Sequence, residues 1–319
     1  MADKETKSTD KPFRTSIGGQ ALLEGIMMRG PYKQAIAIRK PDGEIDVKVT
    51  ELRSTKEKYP VLGLPIVRGV AAFLSSMING VRAITYSASF LPEEEQGEPS
   101  KLDLWIEKHF TDETAEKLVT GLAVFFGIAI AVVLFFMLPT VLTGLVGRLT
   151  EKRWILNLTE GVIRIAIFII YMLLVSKMNE IKRVWQYHGA EHKTIFCYEN
   201  RMPLTPENAR IQSRLHPRCG TSFLFLVMII SILVFSVVSW SNVFIRLLLR
   251  LVLLPVVVGI SYELIKLAGR YDNLATRIIS APGKALQHLT TAEPDDSMLE
   301  VAIAAMREVI PEEDGADKW

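Results

Sequence analysis

"LVTGLAVFFGIAIAVVLFFMLPTVLTGLV", Leu118 to Val146, carries no charged side chain along its whole length. A helix rises about 1.5 Å per residue, and a bilayer's hydrocarbon core is about 30 Å thick, so the stretch is long enough to cross one. Three further apolar segments read the same way: Ile155 to Ser176, Ser222 to Trp240 and Val243 to Ala268. The last two are separated only by Ser241-Asn242, room for a tight antiparallel turn. The composition agrees. The chain is 49% hydrophobic with a mean hydropathy of +0.25, yet 23% of it is charged, which requires the apolar residues to be concentrated in spans.

Lysine and arginine near the span ends set the orientation. The segment 177–221, between the second and third spans, carries Lys177, Lys182, Arg183, Lys193, Arg201, Arg210, Arg214 and Arg218. The connection between the first two spans carries Arg148, Lys152 and Arg153. With four spans, the N-terminus, segment 177–221 and the C-terminus share one side, which the basic residues place in the cytoplasm. The stretch MADKETKSTDKPFRTS is charged and has no apolar h-region, so no cleavable signal peptide is expected. Two cysteines, Cys197 and Cys219, are too few for a disulfide framework, and on the cytoplasmic side they are expected to be reduced. A net charge of +2 does not argue for a nucleic-acid partner.

The expected fold is therefore a mainly α membrane protein. It has about four transmembrane helices over 118–268 and a small N-terminal α+β cytoplasmic part over 16–63. There "QAIAIRKPDGEIDVKVTEL" alternates apolar and polar residues around Pro41-Asp42-Gly43, a β-hairpin in which Ile45, Val47 and Val49 share a face. "IGGQALLEGIMMRGP" before it reads as a short strand or loop. Residues 64–90 form an amphipathic helix, with Arg68, Ser75, Asn79, Arg82 and Tyr86 on one stripe. Two arginines are costly at mid-bilayer, which favours a place at the membrane interface over a span. Residues 91–117 read as an acidic linker and helix, and 269–310 as helices broken at Ala281-Pro282-Gly283 and at Glu293-Pro294.

The chemistry concentrates in "QYHGAEHKTI", Gln186 to Ile195. His188 and His192 lie one helical turn apart and can share a metal ion. His-x-x-Glu-His inverts the order of a familiar metallopeptidase pattern, and Glu191 can serve as general base to a metal-bound water or as a ligand itself. "RLHPRCGTSF" adds His216 and Cys219, three residues apart, before the third span. Glu263 is an acid inside the fourth span, either a third metal ligand or a partner for a nearby Arg or Lys. The topology brings all of these to the same membrane face, where the second span's helix could run on into the motif. Glu160 and Arg164 form an i,i+4 pair in the second span, read as a structural ion pair.

"GGQALLEGIMMRGP", "HGAEHK" and "HPRCGTSF", in this order and around membrane spans, resemble the YqhQ-like bacterial membrane proteins, domain-of-unknown-function family 1385. The resemblance implies a bacterial inner-membrane protein described as a predicted metal-dependent enzyme, and it supplies no reaction or substrate. It adds Gln20, Glu24 and Arg29 to the candidate site, with Glu24 as a second catalytic acid beside Glu191 and Lys193 as a further motif residue.

Two functions follow. The first is a metal-dependent hydrolase at the cytoplasmic face of the membrane, with Zn²⁺ the expected ion and either Glu263 or the pair His216 and Cys219 completing the shell. The second is a non-enzymatic assembly protein whose metal is a staple and whose partners are other membrane or ribosome-associated proteins. Three protein ligands and an open position mark the first, and a closed His/Cys shell the second. Few intramembrane charges argue against a transporter.

Overall fold

The computed structural model describes residues 13–52, 59–91, 112–147, 150, 152–237, 243–271, 273–313 and 315–318. The acidic linker and the Ser241-Asn242 turn lie outside the described residues.

Four strands form an antiparallel meander in the order β1 (Gly18–Leu22), β2 (Gly25–Arg29), β3 (Lys33–Arg39) and β4 (Ile45–Glu51). The hairpin expected around Asp42-Gly43 is the β3–β4 connection, with Gly43 at a φ of +89°. The stretch before it is a second hairpin, joined by Leu23 and Glu24, with Glu24 at a φ of +49°. The central strands β2 and β3 are buried on both faces, which removes the polar alternation that marks a strand in sequence, while β4 is largely exposed. Ile26, Met28, Ala35 and Ala37 pack on one side, while Leu22, Met27, Ile36 and Ile38 pack on the other.

Helix α1 (Val67–Ala88) covers the second face through Ala83, Tyr86 and Phe90 just beyond its end. It also packs along the long helix α8 described below: a side chain at Gly69 would collide with Tyr262, and one at Gly259 with Ile66. Leu74, Met77, Ile78 and Ile84 remain exposed on it.

Among the described residues three helical stretches are long and apolar enough to cross a membrane: Leu118–Val146, Trp154–Val175 and Leu247–Arg270. The first is built from α2 (Asp112–Val132), a π-helical turn (Val133–Met137) and α3 (Leu138–Val146). The second is α4 (Arg153–Val175), and the third lies in α8 (Val243–Arg270), which runs through Pro255. The expected third span is the shorter apolar helix Gly220–Ser236, within α7 (Gly220–Val237).

Between α4 and α7 lie α5 (Asn179–Glu199) and the single turn α6 (Pro206–Arg210). The second span does not run on into the histidine motif. α4 stops at Val175, and Ser176 takes up the end: its Oγ donates to the Leu289 carbonyl and accepts from the Trp185 indole. The chain therefore restarts as a separate helix. The C-terminal part contains α9 (Leu274–Thr290) and α10 (Asp296–Val309). The break expected at Ala281-Pro282-Gly283 is absent, since α9 passes straight through Pro282. Gly283 lies against Ser222 of α7 so closely that a Cβ would come within 2.4 Å, and this packing offsets the hydrogen bond that proline removes. The break at Glu293-Pro294 stands.

α10 is the centre of the larger hydrophobic core. Met298, Leu299, Val301, Ala302, Ala305 and Met306 are fully enclosed against β2, β3 and α5. Asp295 caps it by accepting from the Met298 amide at 3.0 Å. The two ends of the described chain meet here: Thr15 pairs with Lys318 and donates its hydroxyl to Asp317 at 2.5 Å.

Candidate metal centre

α5 presents His188 and His192 on one face, their ring centroids 4.4 Å apart. The start of α7 brings in Cys219, whose Sγ lies 3.1 Å from His188 Nε2. One donor atom from each of the three residues falls within 4.8 Å of the others, and all three side chains are buried. Ligands around a zinc-sized ion lie about 3.5 Å apart, given metal–ligand bonds of about 2.0–2.3 Å.

The ring orientations matter more than the spacing. His188 Nδ1 lies 2.7 Å from the Thr290 carbonyl oxygen, and His192 Nδ1 lies 2.5 Å from that of Arg214. A carbonyl only accepts, so each Nδ1 carries the proton and donates it. Both Nε2 atoms are left with a lone pair. That of His192 is buried with no hydrogen-bond partner. An imidazole tied through one nitrogen to a carbonyl and open at the other is the outer-partner arrangement of a metal-binding histidine.

The local sequence explains how the carbonyls get there. A Cβ on Gly189 would lie 2.1 Å from the Ala292 carbonyl oxygen. Glycine at this position lets the 290–294 segment lie directly on α5, where the Ala292 amide donates to the Trp185 carbonyl at 2.8 Å. Gln287 holds the other side in register: its amide oxygen accepts from the His216 backbone N–H and its Nε2 donates to the His216 carbonyl, both at 2.7 Å.

Burial raises a thiol's pKa, yet the two imidazoles beside Cys219 hold it well below the ordinary range. Burial likewise opposes charge on His188, but the neighbouring Cys219 outweighs it and lifts the imidazole to about 9.

Glu191 is adjacent but outside the three-residue group. Burial, the largest influence on it, raises its pKa, against the pull of both histidines. Its Oε1 accepts from the Gly19 backbone amide at 3.0 Å. A side chain on Gly19 would strike the Glu191 carboxyl carbon at 3.0 Å, so this glycine brings β1 against the motif helix. The first and second sequence motifs therefore do meet, through a backbone amide.

The other candidates take different places. His216 is not brought into the donor group. Its Nε2 faces Arg218 at 3.2 Å and Glu199 at 3.8 Å, and its ring packs on Phe196 and His192. Burial, then His192 and Arg218, hold its pKa well below the usual histidine value, so it is a neutral packing and hydrogen-bonding residue. Glu263 is also absent from the group: both of its oxygens pair with Arg68, and Oε1 also accepts from the Ile66 amide. The alternative reading of this acid, as partner to an arginine, is the one the geometry matches. Glu24 is ion-paired to Arg183 and lies 3.5 Å from the Tyr187 hydroxyl. Gln20 projects onto Gly80 of α1, and Arg29 ends β2 opposite Gly18 and Gln34. Lys193 clamps the following loop, donating to the carbonyls of Arg210 and Gln212 at 2.8 Å each and pairing with Glu293 at 3.0 Å.

Sequence reasoning passed over Gly19, Gly189, Gln287 and the carbonyls of Thr290 and Arg214. A carbonyl leaves no trace in residue type; Gly189 was visible inside the histidine motif, while Gly19 meets Glu191 from 172 positions away.

The model for the protein family of unknown function DUF1385 matches residues 64–312. The chain belongs to this family. A relative from Bacillus subtilis (strain 168), described as uncharacterized protein YqhQ, is 35% identical over 305 residues, covering 92% of this chain and 92% of the relative. Neither description names a metal, a reaction or a substrate. No solved structure matches the chain.

Proposed function

We propose that this DUF1385 member is an integral membrane, metal-dependent hydrolase. In this reading His188, His192 and Cys219 hold one divalent cation, with Zn²⁺ favoured by a nitrogen and sulfur donor set. The observation that carries it is the paired orientation of the two imidazoles, each spending Nδ1 on a carbonyl and keeping Nε2 for the group that contains Cys219. Three protein ligands leave a fourth position for water or substrate. A bound cation would supply Lewis acidity and lower the pKa of a water there. Glu191, held by the Gly19 amide and with its pKa raised by burial, would accept that water's proton and pass it to the leaving group. We further place the site at the cytoplasmic face of a bacterial inner membrane, with four spans and both termini cytoplasmic, supported by the basic residues of 177–221 and the three long apolar helices.

A second reading rests on burial. His192 is only 1% exposed, and the same cation would pin α5 to the start of α7. The protein would then be an assembly factor for membrane or ribosome-associated proteins, with the metal as a staple.

Metal analysis of the purified full-length protein, followed by the Glu191→Gln variant, separates these. The hydrolase reading expects stoichiometric metal in both proteins, with hydrolysis of ester, amide or phosphate model substrates lost in the variant. Metal retained with cellular function unimpaired in the variant would favour the staple. Wild-type protein without stoichiometric metal would sink both.

A further inference from the structure

A second charged cluster lies where α8 ends its membrane-length stretch, Leu247–Arg270. Glu263, Lys266 and Arg270 follow one another at spacings of three and four, so they share one face of the helix. Arg68, in the first turn of α1, reaches across to Glu263. These four residues and Leu267 line a cleft of about 250 Å³. The carboxylate in it is committed. Its Oε1 accepts from Arg68 Nε at 2.7 Å and from the Ile66 amide at 3.3 Å, and its Oε2 pairs with Arg68 Nη2. Three cations less one carboxylate leave the lining with two positive charges in excess.

The surroundings of the cleft are apolar. Leu267 in the lining and Tyr271 just beyond it are exposed, as are Val61, Leu64 and Ile66 on the approach to α1. Ile66 stands at the junction. It is β-branched yet has a φ of +70°, a costly conformation, and it is held there by the Glu263 carboxylate on its amide and by contact with Gly259. Exposed apolar side chains gathered in this way are unfavourable in water. They suit the boundary of a bilayer, where a span ends and tyrosine is favoured. A helix C-terminus attracts one cation through its dipole, and Arg14 already supplies one, donating to the Gly269 carbonyl at 2.8 Å.

We propose that this cleft binds the headgroup of an anionic phospholipid, with Lys266 and Arg270 on its phosphodiester and its acyl chains along the apolar surroundings. The volume far exceeds the roughly 10–15 Å³ that one water needs. A guanidinium matches phosphate oxygens in a two-pronged bond, and an ammonium adds a mobile point charge. Basic pockets beside spans take anionic headgroups in this way. Arg68 stays with Glu263 and forms the wall. A choline headgroup would add a positive charge to a lining that already has two in excess, so zwitterionic lipid is disfavoured. A free phosphate matches the charge but leaves the apolar surroundings in water, so the acyl chains are what they select.

The test uses the full-length protein in detergent micelles and an acyl-labelled phosphatidylglycerol, followed by fluorescence anisotropy. The signal should rise to saturation as protein is added. Each Lys or Arg beside an anionic headgroup counts for about fivefold in affinity, so Lys266→Gln with Arg270→Gln should weaken binding about 25-fold. Lys177→Gln with Lys182→Gln removes the same charge from exposed positions after α4 and should change nothing. Unlabelled phosphatidylglycerol should displace the label at about 25-fold lower concentration than phosphatidylcholine. Glycerol 3-phosphate should not displace it. This competition needs only the wild type, so it decides even if the double variant does not fold. Displacement by glycerol 3-phosphate as readily as by phosphatidylglycerol would assign the cleft to a soluble phosphate and overturn the proposal. So would equal displacement by phosphatidylcholine, or unchanged affinity in the folded Lys266→Gln, Arg270→Gln protein.

Discussion

His188 Nε2 and Cys219 Sγ lie 3.1 Å apart, although 31 residues separate them in the chain. The helix start that carries Cys219 and the helix that carries His188 are different elements, brought together by the α9 residues that grip both. Thr290 accepts from His188, and Gln287 clamps the peptide of His216 three residues before the cysteine.

If these atoms hold a cation, Cys219→Ser and His192→Ala should each lose it. A serine hydroxyl does not ionise at neutral pH, and alanine removes a donor outright. The loss should exceed the roughly 10–100-fold that follows removal of an outer partner alone. His216→Ala should keep its metal, because that ring is turned toward Arg218 and Glu199. Metal content by elemental analysis after dialysis ranks the three variants, and loss of metal in His216→Ala alone would contradict the geometry.

Gly189→Ala tests the approach that positions the Thr290 carbonyl. The methyl group would meet the Ala292 carbonyl oxygen at 2.1 Å, a backbone atom that cannot rotate away. The variant should lose about 1–3 kcal/mol of stability. Its metal content should fall with it. Thermal unfolding in detergent and elemental analysis report the two effects, and a fully stable Gly189→Ala would show that the Ala292 carbonyl does not press on α5.

Glu263 should behave as a structural residue. Glu263→Gln is expected to keep full metal content and to lose no more than about 1 kcal/mol, the range for a partly exposed ion pair. The double exchange Arg68→Glu with Glu263→Arg should recover part of what Arg68→Glu loses. Metal loss in Glu263→Gln would return this acid to the ligand shell.

Asp295 gives a pH dependence with a defined sign. Burial opposes its charge, but the Ser297 hydroxyl and the Met298 amide outweigh it and hold the carboxyl below its ordinary value of 3.8. The folded pKa is depressed, so the cap's contribution is present above the unfolded pKa and is lost as pH falls through the folded one. Asp295→Ala should cost about 0.5–2 kcal/mol at pH 7, and Asp295→Asn less. The gap between wild type and Asp295→Ala should close as the pH is lowered below about 4. Thermal midpoints measured from pH 3 to 7 test this, and a gap that persists at the acid end would remove Asp295 from the role.

The sequence by itself determined the parts of this protein that local chemistry decides. Leu118–Val146 is apolar over a bilayer's thickness whatever surrounds it, Asp42-Gly43 makes a turn, and His188, Glu191 and His192 share a face on any helix. Tertiary structure decided the rest, because the deciding partners are distant in the chain or have no side-chain signature. Arg68 claims Glu263 from 195 positions away, and it does so because Gly69 and Gly259 let α1 lie close against α8. Ser176 ends the second span by reaching Leu289, so the motif helix begins anew instead of continuing the span. The β1–β2 hairpin was hidden because β2 is buried on both faces and so carries no polar alternation. Cys219 joins the histidines while His216 turns away, for the loop between them is set by Gln287 and by the Arg218–Glu199 pair. None of these contacts has a period or a spacing, and each depends on which surfaces the folded chain brings into contact.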